Sequence, residues 1–301
     1  MREARLEGLT TRTIRDGGTM GVRIMVCSMP TYDTVAAERA ADDRIAVIRL
    51  DASDRNNVLD METMLAFAEA ITDADRAEDV QGIVVSATGE TFCAGADLHY
   101  LGDLPFEEGI RFMTAYFEAL DILRDTGKPV VVGVQGICAA GGNELTSACD
   151  LIVAEESAWF TQPEVGVGAT AAGGGVQLLP LIVGEKRAKD LLLTGRMLDA
   201  EEARAFGLIN RVVPDGDAER RAIDLVGTIV DTKSPQAYRT IKAVLKPWAN
   251  VGLQNREMAR ELTACVWDSE EFRERAGTFL ADEDFEPRAF DGARPPARSE
   301  E

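Results

Sequence analysis

The segment KPVVVGVQGICAAGGNELTSACDLIVA (residues 128–154) joins two apolar runs through a loop made almost entirely of small residues. The two runs, Lys128–Val134 and Asp150–Ala154, are short and rich in valine, which is typical of buried strands. Between them, Gly141 opens a helical stretch that reaches Ala148. The segment therefore predicts a strand, a glycine-rich turn, a helix and a second strand, which together indicate an α/β core.

The alternation of strands and helices continues on both sides of this segment. Arg44–Leu50 and Gly82–Ala87 have the composition of strands, and Asp60 is placed to cap a helix with apolar residues at three- and four-residue spacing. Thr88–Leu101 is predicted to be a loop. Beyond residue 173 the pattern is mostly helical, with one short strand at Ile209–Val213. The predicted fold class is thus an α/β core followed by a helical layer.

Composition along the chain predicts four regions. Residues 1–40 show no sustained period and are rich in Arg, Thr and Gly, so we expect a poorly ordered extension, with order beginning at Arg44. Residues 41–233 form the predicted core and residues 234–281 a C-terminal helical region. Residues 282–301 are expected to be an acidic tail.

The balance of acidic and basic residues indicates which kinds of partner the protein can bind. The chain has 301 residues, with 52 acidic residues against 32 basic ones, a formal net charge of −20 and only six lysines. A surface of this kind disfavours binding to nucleic acid or to an anionic membrane. It also favours a salt-rich cytoplasm as the origin of the protein, because salt screens the repulsion between acidic groups.

Cysteine spacing and hydropathy predict whether the protein has a metal site, a disulfide framework or a membrane span. The five cysteines show neither CxxC nor CxxH spacing, so a disulfide framework or a zinc site is not expected. No apolar run reaches the roughly 18 residues that a membrane span needs, and the first 16 residues are charged throughout. Gly166-Val-Gly168 follows no predicted strand, so it does not indicate a nucleotide site. We predict a cytoplasmic protein without a metal or a redox cofactor.

Three segments contain the candidate chemistry. They are Glu90–Leu98 (ETFCAGADL), Gly136–Leu145 (GICAAGGNEL) and Phe160–Glu164 (FTQPE), the last followed by three glycines at 173–175. Small residues let a substrate carbonyl approach the main chain, and a helix N-terminus offers unpaired N–H groups. A glutamate in an apolar pocket can act as a general acid or base. Taken alone, Glu144 could instead be a helix-dipole partner and Glu164 a surface carboxylate.

These segments, in this order and spacing, closely resemble the enoyl-CoA hydratase/isomerase (crotonase) family over roughly residues 42–281. The resemblance implies a spiral of ββα units with a C-terminal helical layer. It also implies that residues 234–281 mediate assembly into homotrimers, which can pair into hexamers. The implied substrate is an acyl-CoA thioester, and coenzyme A is then part of the substrate rather than a separate cofactor.

The resemblance also assigns roles to individual residues. It implies that the N–H groups of Ala96 and Gly141 form an oxyanion hole, and that Glu144 and Glu164 are the catalytic acid and base. Because isomerases of this family usually need only the later acid, the presence of both favours hydration of a 2-enoyl-CoA to a 3-hydroxyacyl-CoA. The further residues expected to contact the substrate are Ala94, Asp97, Leu98, Arg55 and Arg288.

Several positions depart from the family pattern. Leu178 stands where an arginine is usual, Ala172 replaces a glycine, and Asn143 stands where many hydratases have Cys or Gly. The basic C-terminal cluster is replaced by an acidic one, so binding of the CoA phosphates would depend on Arg55 and Arg288, which could equally be surface arginines. The single histidine, His99, has no spaced partner and is interpreted as a loop residue.

Other functions on the same scaffold remain open. They are double-bond isomerisation, hydrolysis of a thioester or a C–C bond, ring closure, and hydration of a specialised enoyl thioester. An RNA-binding or scaffold role, which some family members have acquired, is disfavoured by the net charge of −20.

Overall fold

The computed structural model describes residues 9–13, 23–27 and 33–285. Its strands are β1 (Leu9–Thr13), β2 (Arg23–Cys27), β3 (Val35–Ala40), β4 (Ile45–Leu50), β5 (Gly82–Ala87), β6 (Val130–Val134), β7 (Ile137–Ala139), β8 (Leu151–Glu155), β9 (Trp159–Thr161), β10 (Leu198–Asp199) and β11 (Arg211–Val213). Its helices are α1 (Met61–Arg76), α2 (Leu98–Gly102), α3 (Phe106–Asp125), α4 (Gly141–Ala148), α5 (Gly175–Ile182), α6 (Glu185–Thr194), α7 (Ala200–Phe206), α8 (Ala218–Thr232), α9 (Pro235–Leu253), α10 (Arg256–Trp267) and α11 (Glu270–Leu280). The predicted order of an interleaved α/β core and a helical layer is confirmed.

The core is built on a six-stranded sheet with the order β11-β8-β6-β5-β4-β3. All neighbouring strands are parallel except β3 and β4, which form an antiparallel hairpin. The apolar runs that predicted the strands bury side chains on both faces, as parallel sheets require. On one face, Val47, Val84 and Val131 pack against α8, while alternate residues such as Ile48 and Val85 join the larger core on the other face.

Two predictions about local structure are corrected. Strand β3 lies within residues 1–40, where no ordered element was expected, and pairs along its whole length with β4, from Val35 opposite Leu50 to Ala40 opposite Ile45. The strands β1 and β2 also pair with each other within that region. The end of the predicted loop Thr88–Leu101 is helix α2, because the carboxylate of Asp97 accepts hydrogen bonds from the N–H groups of His99 and Tyr100.

A smaller sheet places the functional loops. Its order is β10-β9-β7, and β7 and β9 are parallel. Strand β7 ends at Ala139, with one residue between it and the start of α4 at Gly141, and β9 ends at Thr161, shortly before a 3₁₀ helix at Glu164–Val167. Because parallel neighbours end at the same edge of a sheet, the N-terminus of α4 and Glu164 are brought to one side of the molecule.

The C-terminal helices α9, α10 and α11 lie within the predicted helical region 234–281. Helix α9 has no fully buried residue, and it exposes an apolar stripe at helical spacing. The members of this stripe, each more than half exposed, are Ile241, Val244, Leu245, Trp248 and Val251. Within the described residues, no helix is both long and apolar enough to span a membrane.

Candidate active site

The candidate site is a cavity of about 320 Å³ between the small sheet and helices α2, α3, α4 and α10. Most of the residues predicted for the site line this one cavity. They are Ala94, Ala96, Leu98, Gly141, Glu144 and Glu164. The rest of the lining is largely apolar, with Phe112, Met113 and Trp267 on one side. A cavity of this kind, with a few convergent polar groups, is typical of a small-molecule site.

The loops that contain Ala96 and Gly141 lie against each other. Ala96 pairs with Leu59 in an isolated parallel bridge, whose hydrogen bonds run from Leu59 N to Gly95 O and from Asp97 N to Leu59 O. This pairing leaves the N–H of Ala96 outside it. Gly141 is the first residue of α4, where N–H groups have no partner within the helix. A Cβ atom on Gly95 would lie 3.4 Å from Gly141 N, so the two loops are in van der Waals contact.

Ala140 holds the Gly141 peptide in an unusual orientation. Its φ and ψ angles are 49° and −123°, a region that favours glycine, and it immediately precedes α4. Strained backbone of this kind costs about 1–3 kcal/mol and is common at functional sites. The surrounding contacts maintain it, because Ala140 N donates to Thr161 O and its carbonyl accepts from Glu144 N.

Glu144 is buried in the first turn of α4 and is 5% exposed. Its Oε1 accepts a hydrogen bond from Gly175 N at 2.8 Å, and its Oε2 lies 3.4 Å from the hydroxyl of Tyr116. Burial raises the pKa of Glu144 to about 7. The N–H groups of Gly175 and Gly173 and the Tyr116 hydroxyl oppose that rise in pKa by stabilising the carboxylate.

Glu164 approaches the same cavity from the 3₁₀ helix, with fewer stabilising partners. Its Oε1 accepts a hydrogen bond from Gln162 Nε2 at 3.2 Å, whereas its buried Oε2 has no hydrogen-bond partner among the described residues. Burial and the nearby charge of Glu144 raise the pKa of Glu164 well above its usual value. The environments therefore favour a proton on Glu164 and the negative charge on Glu144.

Two of the predicted substrate contacts that the structure describes, Arg55 and Asp97, do not line the cavity. Arg55 is the last residue of a short 3₁₀ helix at Ser53–Arg55, and it forms ion pairs with Asp60 at 3.2 Å and Asp97 at 3.5 Å. Asp97 caps α2, so its carboxylate is already engaged. Arg288 lies outside the described residues. The roles of these three residues in binding stay predictions. His99 is exposed on α2 rather than in a loop.

Sequence reasoning missed several residues that build the site. Tyr116 and Arg124, both from α3, lie beside Glu144, and the Nε and Nη2 atoms of Arg124 are buried without a partner in the described part of the chain. Asn57 is 1% exposed; its side chain accepts a hydrogen bond from Ala52 N and donates to the carbonyls of Thr88 and Thr91, which lead into the loop that contains Ala96. Gln162 accepts a hydrogen bond from Asn143. A helical period could have placed Tyr116 on the inner face of α3, but only the packing of α3 against α4 identifies its partners.

A larger cavity of about 630 Å³ lies between α9 and the ends of α3, α4 and α5. None of the predicted site residues line it. Its lysines and arginines are paired with acidic side chains, for example Lys242 with Asp150 and Lys246 with Asp125. No group of three or more His, Cys, Asp or Glu side chains that could hold a metal ion occurs among the residues described.

Comparison with known proteins gives a consistent family. A family model described as enoyl-CoA hydratase/isomerase matches residues 40–286. A Mycobacterium bovis protein named as a probable enoyl-CoA hydratase is 35% identical over 214 residues, which is 70% of this chain and 80% of that protein. A Syntrophomonas wolfei protein named crotonyl-CoA hydratase is 32% identical over 224 residues, which is 74% of this chain and 84% of that protein.

Solved structures give the same result for the fold. The crystal structure of an enoyl-CoA hydratase/isomerase from Xanthobacter autotrophicus superimposes with a TM-score of 0.75 at 27% identity. The match covers 84% of this chain and 94% of that one. The predicted fold, a crotonase-like α/β core with a C-terminal helical region, is confirmed.

Proposed function

The chain belongs to the enoyl-CoA hydratase/isomerase family, and on that premise we propose that it adds water to a 2-enoyl-CoA to give a 3-hydroxyacyl-CoA. The observation that carries the proposal is the convergence of two glutamates and two small-residue loops on one apolar cavity. Hydration of an enoyl thioester needs both kinds of group, because negative charge develops on the thioester oxygen while the attacking water loses a proton and the α-carbon gains one.

The thioester oxygen would accept hydrogen bonds from the N–H groups of Ala96 and Gly141. The support for this assignment is that neither group is used by the secondary structure around it, and that the two loops are in contact. The N-terminus of α4 adds a partial positive charge. Preorganised donors of this type stabilise an enolate-like transition state by several kcal/mol.

The two glutamates would divide the proton transfers between them. Glu144, whose carboxylate receives more hydrogen bonds, would take a proton from water as the oxygen of that water attacks the β-carbon. Glu164, whose pKa is raised further, would deliver its proton to the α-carbon. One proton is thus gained and one lost by the pair, and exchange with solvent restores the starting state.

A hydratase is favoured over an isomerase because both carboxyl groups line the cavity. An isomerase moves a single proton between two carbons and can use one acid. The names of the relatives, among them a crotonyl-CoA hydratase, also support hydration. Isomerisation, hydrolysis, ring formation and hydration of a specialised enoyl thioester are the alternatives that product analysis would separate.

Assembly into a homotrimer, or a pair of trimers, belongs to the same proposal. The exposed apolar stripe of α9, from Ile241 to Val251, supports it because a stripe of this kind is normally covered by another protein surface. Light scattering coupled to size-exclusion chromatography should give a mass three or six times that of one chain. Trp248→Glu, at the centre of the stripe, should lower that mass. We further propose a cytoplasmic location for the protein.

The test of the activity follows the loss of the conjugated enoyl absorbance of crotonyl-CoA. We expect rapid loss with the wild-type protein and a fall of at least 100-fold in turnover for Glu164→Gln and for Glu144→Gln, since removal of a general acid or base typically has this effect. Mass spectrometry of the product should show the gain of one water. No change in mass would indicate an isomerase, free CoA would indicate a hydrolase, and wild-type rates in either variant would refute the mechanism.

A further inference from the structure

We propose that Tyr116 is a positioning residue of this site, whose hydroxyl joins the main chain of Gly141 to the carboxyl group of Glu144. The hydroxyl donates to Gly141 O at 2.6 Å and lies 3.4 Å from Glu144 Oε2. Tyr116 comes from α3, whereas its two partners come from the first turn of α4. The inference rests on the proposed function, which makes Gly141 part of the oxyanion hole and Glu144 the base.

The tyrosine ring is held firmly enough for such a role. Tyr116 is 3% exposed, and its ring lies 6.2 Å from that of Phe112, one turn earlier in α3. A Cβ atom on Gly173 would come within 3.0 Å of both the Tyr116 ring and Glu144 Oε2. The glycine at 173 therefore leaves the space that the ring and the carboxylate occupy, and the hydroxyl has little freedom to move away from its partners.

The hydroxyl would act on catalysis through two groups at once. It holds the carbonyl of Gly141, which lies in the peptide unit after the one that contains the Gly141 N–H, and thereby restrains the first residue of α4 beside the strained Ala140. The hydroxyl has one proton, which it donates to Gly141 O at 2.6 Å, so Glu144 Oε2 at 3.4 Å receives only the longer branch of a three-centre bond. That branch opposes the rise in the pKa of the Glu144 carboxyl group. The cavity wall thus contains a third polar group, which contacts the catalytic machinery but need not contact the reacting atoms.

Other charged groups that face Glu144 must be considered in any pH experiment. Arg124, from α3, lowers the pKa of Glu144, and Glu164, from the 3₁₀ helix, interacts with it through charge. Cys93 lies near Tyr116, but burial raises the pKa of its thiol to about 12, so it stays neutral. Changing only the Tyr116 hydroxyl leaves all three in place.

The test compares Tyr116→Phe with Tyr100→Phe. Both variants lose one hydroxyl and keep the ring, but Tyr100 packs edge-on against Phe112 and is a matched control away from the glutamates. For Tyr116→Phe we expect kcat on crotonyl-CoA to fall about tenfold, with KM changed less than twofold, as the loss of one hydrogen bond predicts. The acid limb of the pH profile should move to higher pH by roughly 0.5–1 unit, because Glu144 loses a donor.

A second readout does not depend on activity. In protein labelled with ¹³C at the glutamate carboxyl carbons, the Glu144 resonance is assigned by its absence from Glu144→Gln. Its titration midpoint should be higher in Tyr116→Phe than in the wild type and unchanged in Tyr100→Phe. If the midpoint moves but no hydration occurs in the wild type, the contact is right and the proposed function is wrong. A pH profile and a midpoint that match the wild type would show that Tyr116 only fills space.

Discussion

If the proposed function holds, Gly173→Ala should remove most of the activity, because the added methyl group has no room beside the carboxylate of Glu144. Its carbon would lie within 3.0 Å of the Tyr116 ring and of Glu144 Oε2, closer than real Cβ contacts occur. Both neighbours are nearly fully buried, at 3% and 5% exposure, so neither can swing into solvent. Relief requires one of them to shift by several tenths of an ångström or more, and a misplacement approaching 1 Å can cost on the order of 100-fold in rate.

Gly173→Ala should reduce the free energy of unfolding by a smaller fraction than it reduces the rate. Overpacking a buried site typically destabilises by about 1–3 kcal/mol, which is a fraction of the stability of a domain of this size. The assay therefore pairs the initial rate of crotonyl-CoA hydration with the free energy of unfolding from urea titration. We expect a fall in kcat of roughly 100-fold together with a loss of about 1–3 kcal/mol.

Gly227→Ala is the matched control for this experiment. Gly227 lies within α8, and a Cβ atom there would meet no other heavy atom within 4 Å. The same chemical change should therefore stabilise the protein by up to about 1 kcal/mol, through helix propensity alone, and leave the rate unchanged. A Gly173→Ala protein with wild-type rate and stability would mean that Tyr116 and Glu144 do not lie where the cavity places them, and the reasoning would fail.

Three further predictions test other parts of the molecule. Ala140→Gly should stabilise the protein by about 1 kcal/mol in urea titration, because glycine adopts a φ of 49° without strain; a loss of stability would contradict the strain argument. The pKa of Glu144 is raised to about 7 in the native state, so the native state loses stability as the pH rises from about 4.5 to 7. The free energy of unfolding of Glu144→Gln should therefore exceed that of the wild type by up to about 3 kcal/mol at pH 8, and the two should be equal below pH 4.5. With a net charge of −20, molar KCl should raise the melting temperature by several degrees, and an unchanged value would argue against adaptation to salt.

The candidate site is the part of the chain that the sequence predicts best. Strands β6 and β8, which precede and follow the segment around Gly141, are apolar runs, and their composition and length leave few alternatives once a glycine-rich turn separates them. Glu144 and Glu164 are 20 residues apart in sequence, but each follows a strand of the same small sheet, β7 or β9, so the topology brings both to one edge. The grouping of these two with Ala96 and Gly141 in one cavity follows the expected pattern.

Strand β3 shows why the sequence pattern predicts too late a start for the ordered core. It is an edge strand with three alanines, Glu38 and Arg39, and only Val35 is fully buried, so its hydrophobic alternation is weak. Its existence depends on pairing with β4 through a turn in which Ala41, Asp42 and Asp43 all have positive φ angles. The hydrophobic pattern of one segment does not show which other strand that segment will pair with.

The contacts of Tyr116 could not be predicted for a different reason. Helical periodicity places a residue on the inner face of α3, but it does not specify which atom of α4 that residue meets. The hydroxyl, the carbonyl of Gly141 and the space left at Gly173 come from three separate segments. Such contacts depend on how the helices pack against each other, and a shift of a few tenths of an ångström is enough to make or break them.

The two glutamates differ in which one favours the proton, and this difference follows from the helices in which they lie. Glu144 lies in the first turn of a helix, beside main-chain N–H groups of the glycine run at 173–175, so its negative charge is stabilised even though it is buried. Glu164 lies in a 3₁₀ helix, with one side-chain donor on Oε1 and none on the buried Oε2, so the protonated form is favoured. Because the negative charge of Glu144 raises the pKa of Glu164, ionisation of Glu144 keeps the proton on Glu164. A base and an acid can therefore coexist near neutral pH, and the fold, rather than the residue type, decides which glutamate is which.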